Sequence, residues 1–442
     1  MLANRAFAQA AESDGAGVPL VFGLERANGV RSRFETRVFS AGHPQAAANI
    51  GYAERLLKFL LWQRGAWRVY VGGPADLGQR LAATYAPGGE RAFDAQFLGE
   101  QVYRRPFTVV PCAAKAVPTA REREQALGRH LDGYRIGFDL GASDIKVSAV
   151  VDGHVIYSQE IIWEPTVQTD PGYHYDLLTS AIRIAAARMP RVDAIGGSGA
   201  GIYVDNQPRV ASIFRGIPQQ RFNEVRTLFA RIRDEWGVPF RVWNDGDVAA
   251  LAGSMTLGKD AVLGIALGSS EAAGYITRRG NVTGWLNELG FCPIDYSPGA
   301  VVETWSGDRG VGSRYLSQQA VFRLAPQAGI ALAAGMAKAE QLESIQVQLE
   351  AGHEGAVQIW QSVGVYMGYA LAHYAQFYDL EHVLLMGRCT SGIGGPLILE
   401  SANQVLQTEF PTIAGRIDLN LPSEETRRVG QAIAAASLPA IL

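Results

Sequence analysis

The sequence predicts an α/β protein of two similar lobes flanking a cleft, with an additional α/β segment in front of them. Three observations predict it. A strand–turn–strand opening occurs at Arg135 and again at Ala261. Apolar stretches of strand length alternate with stretches of helical period along most of the chain. The chain has 442 residues, 48% of them apolar, which is ample for two or three buried cores with a cleft between them.

The elements follow in order. Residues 1 to about 18 are small and polar and are expected to be poorly ordered. Strands are expected at Leu20–Leu24 and Arg33–Phe39. Leu56, Leu57, Phe59, Leu60 and Leu61 give Tyr52–Arg64 a helical spacing. Trp67–Val71 reads as a strand that Gly72-Gly73-Pro74 stops. Asp76–Tyr85 reads as a helix ended by Pro87-Gly88-Gly89. Ala113–Gly133 is charged, contains Pro118, and reads as a linker and connecting helix. Residues 1–133 are therefore an N-terminal α/β extension with its linker.

A second unit, 134–257, opens with strands at Arg135–Leu140 and Ile145–Val151 around the turn Gly141–Asp144. Asp152-Gly153 is a two-residue hairpin signal, and Val155–Ile162 returns as a third strand. Helix Tyr175–Met189, strand Val192–Gly196 and helix Phe222–Trp236 follow. A short strand at Phe240–Trp243 then delivers Asn244-Asp245. The third unit, 258–442, repeats the opening with Ala261–Leu267, Ala273–Thr277 and the turn Arg279-Gly280-Asn281. Helices are expected at Gln318–Leu324, Ala337–Leu349 and Gly355–Tyr378. A strand at His382–Met386 stops at Gly387, and a helix at Glu424–Ala436 closes the chain.

Composition excludes several classes of function. A formal net charge of −3 with no polybasic block argues against nucleic acid as a partner, because phosphate backbones demand clustered positive charge. The three cysteines, Cys112, Cys292 and Cys389, are far apart and offer neither a disulfide framework nor a Cys-x-x-Cys knuckle. None of the seven histidines falls in a His-x-x-x-His spacing. No apolar run reaches the ~18 residues of a membrane span, and the N-terminus lacks a signal-peptide pattern. The expectation is a soluble cytoplasmic protein with no membrane partner.

Four constellations can carry chemistry. In Phe138-Asp139-Leu140-Gly141-Ala142-Ser143, a carboxylate at a strand end stands beside a turn that a phosphate can approach. Such a carboxylate can hold Mg²⁺ through water. Lys146 adds charge nearby, although strand alternation does not place it; the same residues also suit a plain capped hairpin. In Trp243-Asn244-Asp245-Gly246-Asp247, a strand-end carboxylate can take a proton from a hydroxyl while that oxygen attacks phosphorus. Asn and Asp are equally at home as helix N-caps. The small residues from Gly264 to Gly274 suit either a second phosphate loop or tight strand packing. Gly387, Gly392, Gly394 and Gly395 lie where a nucleotide base could rest at a strand's C-terminal end. Gly197-Ser198-Gly199-Ala200-Gly201 is close to a nucleophile elbow, but Ala200 breaks the pattern.

Taken in this order, the constellations resemble the sugar-kinase branch of the actin-like ATPase superfamily, and most nearly the ROK family (repressor, open reading frame, kinase). The resemblance runs from Tyr134 to the C-terminus. It is carried by Asp139-x-Gly141, Asn244-Asp245, Leu267-Gly268-Ser269, Asn287-Glu288-Leu289-Gly290, Val302-Glu303-Thr304 and Leu385-Met386-Gly387. It implies a two-lobed actin-like ATPase (ribonuclease H-like) fold, and phosphoryl transfer from ATP with Mg²⁺ to a hydroxyl of a hexose or related polyol, in a homodimer. By motif, Asp245 would be the general base. Asn244, Glu288 and Glu303 would hold sugar hydroxyls. Asp139 would sit at Mg²⁺; Gly141, Ser143, Gly268 and Ser269 would face the phosphates; Gly387 would belong to the adenosine loop.

The departures from that pattern are specific. Phe291 stands where many members have the histidine of Glu-x-Gly-His, and of their zinc-binding cysteines only Cys292 is nearby, so no zinc is expected. Ser270, Ala272 and Ala273 replace glycines of the second phosphate loop. Glu271 is the sharpest departure. A carboxylate ~4 Å from a phosphate charge costs on the order of 4 kcal/mol at an effective dielectric of ~20. Glu271 must point away, pair with Arg278 or Arg279, or mark a closed nucleotide site. The last outcome would make the protein a non-catalytic sugar-binding or regulatory relative. A third reading is an ATPase of the same superfamily with a non-sugar acceptor. Some family members carry an N-terminal helix-turn-helix; strand Trp67–Val71 interrupts that pattern here.

Overall fold

Three main sheets form from successive stretches of the chain in the computed structural model, which describes residues 2–13, 15, 17–332, 335–423 and 430–441. Helix α1 (Leu2–Ser13) precedes the first sheet. The expectation of a poorly ordered N-terminus is corrected here: Phe7 packs on Phe39 and Tyr52, with ring centroids 5.1 and 4.4 Å apart. Strands β1 (Gly17–Glu25) and β2 (Arg31–Phe39) pair antiparallel, with Gly17 opposite Phe39 and Glu25 opposite Arg31. Helix α2 (Asn49–Arg64) leads to β3 (Arg68–Gly72), which joins the other edge of β1. After helices α3 (Ala75–Thr84) and α4 (Ala92–Gln96), β4 (Thr108–Cys112) runs parallel to β3. Pro111 hides β4 from a sequence reading, yet an edge strand accommodates it. The connecting helix expected in 113–133 is absent from these residues. Beyond a short turn at Ala114–Ala116 the segment is extended and bridged, Arg121 to Arg31 and Gln125 to Val282.

The second sheet has the order β11-β8-β5-β6-β7. Strands β5 (Tyr134–Leu140), β6 (Asp144–Val151) and β7 (His154–Ile162) form the expected antiparallel opening. Asp152 and Gly153 both take positive φ, +46° and +81°, as a two-residue hairpin requires. Helix α5 (Pro171–Ala186), capped by Asp170, leads to β8 (Ala194–Gly199), parallel to β5. A small hairpin of β9 (Ile202–Val204) and β10 (Gln207–Val210) follows, then helix α6 (Phe222–Trp236) and β11 (Phe240–Asn244). Helix α7 (Asp245–Leu257) starts directly from β11 and packs over the third sheet.

That sheet has the order β13-β12-β14-β15. Strands β12 (Val262–Leu267) and β13 (Glu271–Ile276) pair antiparallel. Helices α8 (Gln318–Leu324), α9 (Lys338–Glu350) and α10 (Glu354–Tyr374) come before β14 (His382–Met386), parallel to β12. Helices α11 (Gly394–Glu409) and α12 (Pro411–Ala414) and strand β15 (Asp418–Asn420) follow. The expected closing helix is present as α13 (Gln431–Ala436), which packs on β5 and β8; residues 424–429 lie outside the described residues. Among the described residues no helix is long and apolar enough to cross a membrane.

The front segment does not hang free. Leu20, Phe22 and Leu57 share one apolar core with Leu263, Ile265 and Met367 of the third unit. Helix α2 is buried on nearly every face. Phe59 stacks on Phe377 at 4.0 Å, and its polar residues enter a buried ion cluster. Lys58, fully buried, sits 2.7 Å from Asp94 and 3.2 Å from Asp308. Arg55 and Arg91 also reach Asp308, at 3.1 and 2.7 Å, and both pair with Glu54. Three cations thus balance three carboxylates, which is what a buried cluster needs to repay its desolvation.

Candidate functional site

Asp139 ends β5, in register with Ser198 on the neighbouring parallel strand. Gln431 of α13 donates to both, at 3.2 Å to Asp139 and 3.0 Å to Ser198. Burial pushes the Asp139 carboxyl up to about 6, against the Ser198 hydrogen bond, and the negative charge of Asp245 adds to the rise. The turn that follows is closed by Gly141 N–H donating to Asp144 O at 2.9 Å, while Trp163 Nε1 donates to Gly141 O at 2.9 Å. Ser143 is exposed, with Oγ on Asp144 at 3.0 Å. Lys146 lies opposite Asp139 in the ladder but is exposed, 3.7 Å from Asp144.

Asp245 is the first residue of α7. Burial raises its pKa, and the Gly246 N–H, donating at 2.8 Å, partly opposes the rise. Gly246 must lack a side chain: a Cβ there would stand 2.4 Å from Ala273 O, so helix and strand touch backbone to backbone. Asn244 makes one local hydrogen bond at each end of its amide. Its oxygen caps α7 by accepting from Asp247 N–H at 3.2 Å, and its Nδ2 donates to Gly201 O at 2.7 Å. Asp247 is likewise occupied, accepting from Trp243 Nε1, Tyr275 N–H and Asn287 Nδ2 at 2.9, 3.1 and 2.9 Å.

Glu288 reaches this centre from a loop that α2 holds. Gln63 O accepts from Asn287 N–H at 2.9 Å, and Trp62 O accepts from Glu288 N–H at 3.1 Å. Burial first, then the charges of Asp245 and Asp247, push the Glu288 carboxyl up to about 7. Asp245 is thus within electrostatic reach of both Asp139 and Glu288, and its charge raises the pKa of each. Among the described residues no lysine or arginine forms an ion pair with any of the three. Such a group can accept hydrogen bonds from hydroxyls, take a proton, or meet a divalent cation. The donor set fits Mg²⁺ at Asp139: one carboxylate suffices for an ion that keeps its waters and shares phosphate oxygens. Among the described residues no group of three or more His, Cys, Asp or Glu could itself hold a metal.

Glu303 is not joined to this centre by any contact among the described residues. Its oxygens accept from Trp305 N–H at 2.9 Å and from the Ser306 N–H and Oγ at 2.6 and 2.7 Å, closing its own turn. Phe291, at the position of the expected histidine, packs against Trp62 with tilted rings 4.5 Å apart at their centroids, and Cys292 Sγ contacts Phe59 O at 3.5 Å.

On the third sheet, Gly268 and Ser269 form the turn between β12 and β13, with Gly268 N–H on Ser270 O at 3.0 Å. Gly268 O accepts from Gln318 N–H and Ser269 O from Gln319 Nε2, at 2.9 and 3.1 Å. Gly387 lies beside this turn, at φ +93°, where a Cβ would stand 2.6 Å from Leu267 O. Glu271 points the other way. It is 2% exposed, turned into the core, with Oε1 accepting from Tyr374 OH at 2.9 Å and Oε2 without a partner. Burial lifts it to about 8, so at neutral pH it is mostly an uncharged acid. The expected pairing with Arg278 or Arg279 does not occur; Arg278 holds Asp379 and Glu381, and Arg279 lies near Glu124. Among the three outcomes open in the sequence, Glu271 points away.

No family model matches the chain, and no curated protein matches it. Solved structures do. A ROK family glucokinase from Streptomyces griseus, solved with glucose and AMPPNP, superposes with a TM-score of 0.54 at 21% identity, over 70% of this chain and 99% of that one. A ROK hexokinase from Thermus thermophilus gives 0.52 at 18%, over 68% and 97%. A ROK family transcriptional regulator, homologous to the E. coli MLC protein, gives 0.55 at 18%, over 70% and 79%. The chain has the two-lobed actin-like ATPase fold of these ROK proteins.

Proposed function

We propose that the protein transfers a phosphoryl group from ATP to a hydroxyl of a hexose or related polyol. The observation that carries this reading is the placement of Asp245: at the start of α7, in the electrostatic company of Asp139 and Glu288, with its pKa raised by burial. A raised pKa suits a group that must take a proton near neutral pH. In this reading Asp245 accepts the proton of the sugar hydroxyl as its oxygen bonds to the γ-phosphorus, and the bond from phosphorus to the β-phosphate oxygen breaks to leave ADP. Glu288 accepts a hydrogen bond from another hydroxyl and so orients the ring. Asp139 would hold Mg²⁺, which supplies charge neutralisation on the phosphates. Ser143 on one side and Ser269 on the other would offer N–H groups and hydroxyls to phosphate oxygens; Gly141 and Gly268, whose own N–H groups close their turns, would let the phosphates come close, and Gly387 would let the adenosine side approach.

Two roles change from the motif-based assignment. Asn244 also fixes the start of α7 and hence Asp245, through one hydrogen bond at each end of its amide, which leaves one donor and one acceptor site for a sugar hydroxyl. Glu303 braces its own turn. The non-catalytic reading rested on Glu271, on the Gly-poor second loop and on the missing histidine; the orientation of Glu271 removes the first of these supports.

The test is sugar-dependent ADP release over a panel of hexoses, for the wild-type protein and Asp245→Asn. The expected result is turnover that falls by about 10²–10⁴-fold in the variant, the usual share of a general base, with sugar binding kept. Unchanged turnover would remove Asp245 from the reaction. Sugar binding without Mg-ATP binding would favour the regulatory reading, which one structural neighbour exemplifies.

A further inference from the structure

The front segment, the extended strap at 121–125 and both lobes meet around a cavity of about 270 Å³. Its wall takes Arg26 from the first unit, Arg123 from the strap, Tyr203 and Arg241 from the second, and Trp285 from the third. Arg26 is satisfied: it bonds Ser32 at 3.0 Å, Arg64 O at 3.2 Å and the Glu122 carboxylate. Arg123 and Arg241 form no hydrogen bond or ion pair among the described residues.

The carboxylates in the wall do not neutralise them. Asp247 spends both oxygens on Trp243, Tyr275 and Asn287, and Asp205 lies exposed at the tip of the β9–β10 hairpin. The outer side of that hairpin is also cationic. Arg209 and Arg226 each keep a buried Nε without a partner, and burial first, then the charge of Arg104, lowers the pKa of both. Two unpaired guanidiniums on the wall of one partly closed cavity, Arg241 half-buried and Arg123 exposed, attract an anion, and the fork geometry of arginine suits phosphate and carboxylate oxygens. The remaining lining adds the amides of Asn28 and Gln125 and the indole of Trp285, which suit hydroxyls and the face of a ring. The volume falls just under the ~300 Å³ lower end for small-molecule pockets, so the occupant is the size of a monosaccharide rather than a nucleotide.

We propose that this cavity binds an anionic monosaccharide, one that carries a phosphate or a carboxylate, at a site separate from Asp245. The cavity reaches the catalytic strand directly, because Gly201 and Asn244 line it and Asn244 Nδ2 donates to Gly201 O. An occupant that moves the β9–β10 hairpin therefore moves the cap of α7. The site stands on its own charges and does not need the kinase reading.

The experiment is calorimetric titration of the full-length protein at low salt with glucose 6-phosphate, glucuronate, inorganic phosphate and glucose. Glucose 6-phosphate or glucuronate should bind, and whichever of the two binds identifies the anionic group. Affinity should fall at least about tenfold in Arg241→Gln and in Arg123→Gln, and should weaken with added salt. Arg123 is exposed, so its variant folds even where Arg241→Gln does not. Binding should persist in Asp245→Asn, which separates this site from failure of the kinase reading. Binding of neither anionic sugar, undiminished binding in the double arginine variant, or equal affinity for inorganic phosphate alone would each overturn the proposal.

Discussion

Glu271 gives the most exacting test of the structure, because its buried carboxyl should make the protein less stable as pH rises. The ordinary value for a glutamate is 4.5, and burial raises Glu271 to about 8. The folded protein therefore binds this proton more tightly than the unfolded chain does. The stabilising contribution is complete below pH 4.5 and is lost progressively as pH climbs through about 8. At pH 7, keeping the acid neutral while the unfolded chain ionises costs about 3 kcal/mol, at roughly 1.4 kcal/mol per pH unit. Glu271→Gln keeps the neutral shape at every pH. Its oxygen can still accept from Tyr374, and its amide takes the place of the protonated oxygen, which already lacks a partner.

The variant and the wild type should thus melt within ~1–2 °C of each other at pH 5. At pH 7 the variant should melt higher by about 6–12 °C, taking roughly 2–4 °C per kcal/mol for a lobe of this size. Thermal melts at pH 5, 6, 7 and 8 read this out. Asp139, Asp247 and Glu288 also have raised values, so wild type alone would lose stability over this range for several reasons. Only the difference from Glu271→Gln isolates one group. A difference that stays constant from pH 5 to 8 would refute the reasoning, since it would mean that Glu271 carries the same charge folded and unfolded. Binding of Mg-ATP should be the same in both proteins, because Glu271 faces Tyr374 and not the phosphate turn.

Two further outcomes follow from packing. Lys58→Met leaves the buried carboxylates Asp94 and Asp308 one cation short, and should cost about 3–5 kcal/mol by chemical denaturation. Removing the exposed Arg231–Glu235 pair with Arg231→Met should cost less than about 1 kcal/mol in the same assay. Gly387→Ala places a methyl group 2.6 Å from the Leu267 carbonyl at a positive φ, so it should displace the Leu267–Gly268 turn. Mg-ATP affinity should fall at least about tenfold, equivalent to ~1.4 kcal/mol, while sugar binding is kept; equal ATP affinity would take Gly387 out of the nucleotide site.

What the sequence made legible was local. The Asp152-Gly153 hairpin, the openings at β5 and β12 and the strand at β14 lie within a residue or two of expectation, because period and turn chemistry act over a few residues. What it hid depends on distant partners. Glu54 and Lys58, four residues apart, share one face of the expected helix, and nothing nearby in the sequence marks them as buried, yet Lys58 is enclosed by Asp94, 36 residues on, and by Asp308. The β9–β10 hairpin has strands too short to register, although Asp205-Asn206, both at positive φ, is a usable turn signal. At the site the ambiguity was chemical. Asn244 and Glu303 are the right residue types for a sugar, but the same oxygens cap a helix or a turn, and local capping leaves no separate mark in the sequence.

The front segment is best understood through what it holds. Helix α2 ends with its carbonyls at Trp62 and Gln63 fixing the backbone of Asn287 and Glu288. Asn287, at φ +53° and 2% exposed, passes that constraint on: it donates to Asp247 and accepts from Tyr378 OH at 3.0 Å. Asp247 in turn holds Trp243 and the first turn of α7, where Asp245 begins. One chain of buried hydrogen bonds therefore runs from the front segment to the carboxyl that the proposed reaction depends on. Buried bonds of this kind keep their geometry because each unmade partner would cost more than the bond returns. The solved neighbours cover 68–70% of this chain, a share that residues 134–442 would account for. Residues 1–133 are thus best read as part of the site's framework, with Glu288 held in place by the far end of α2 rather than by its own loop alone.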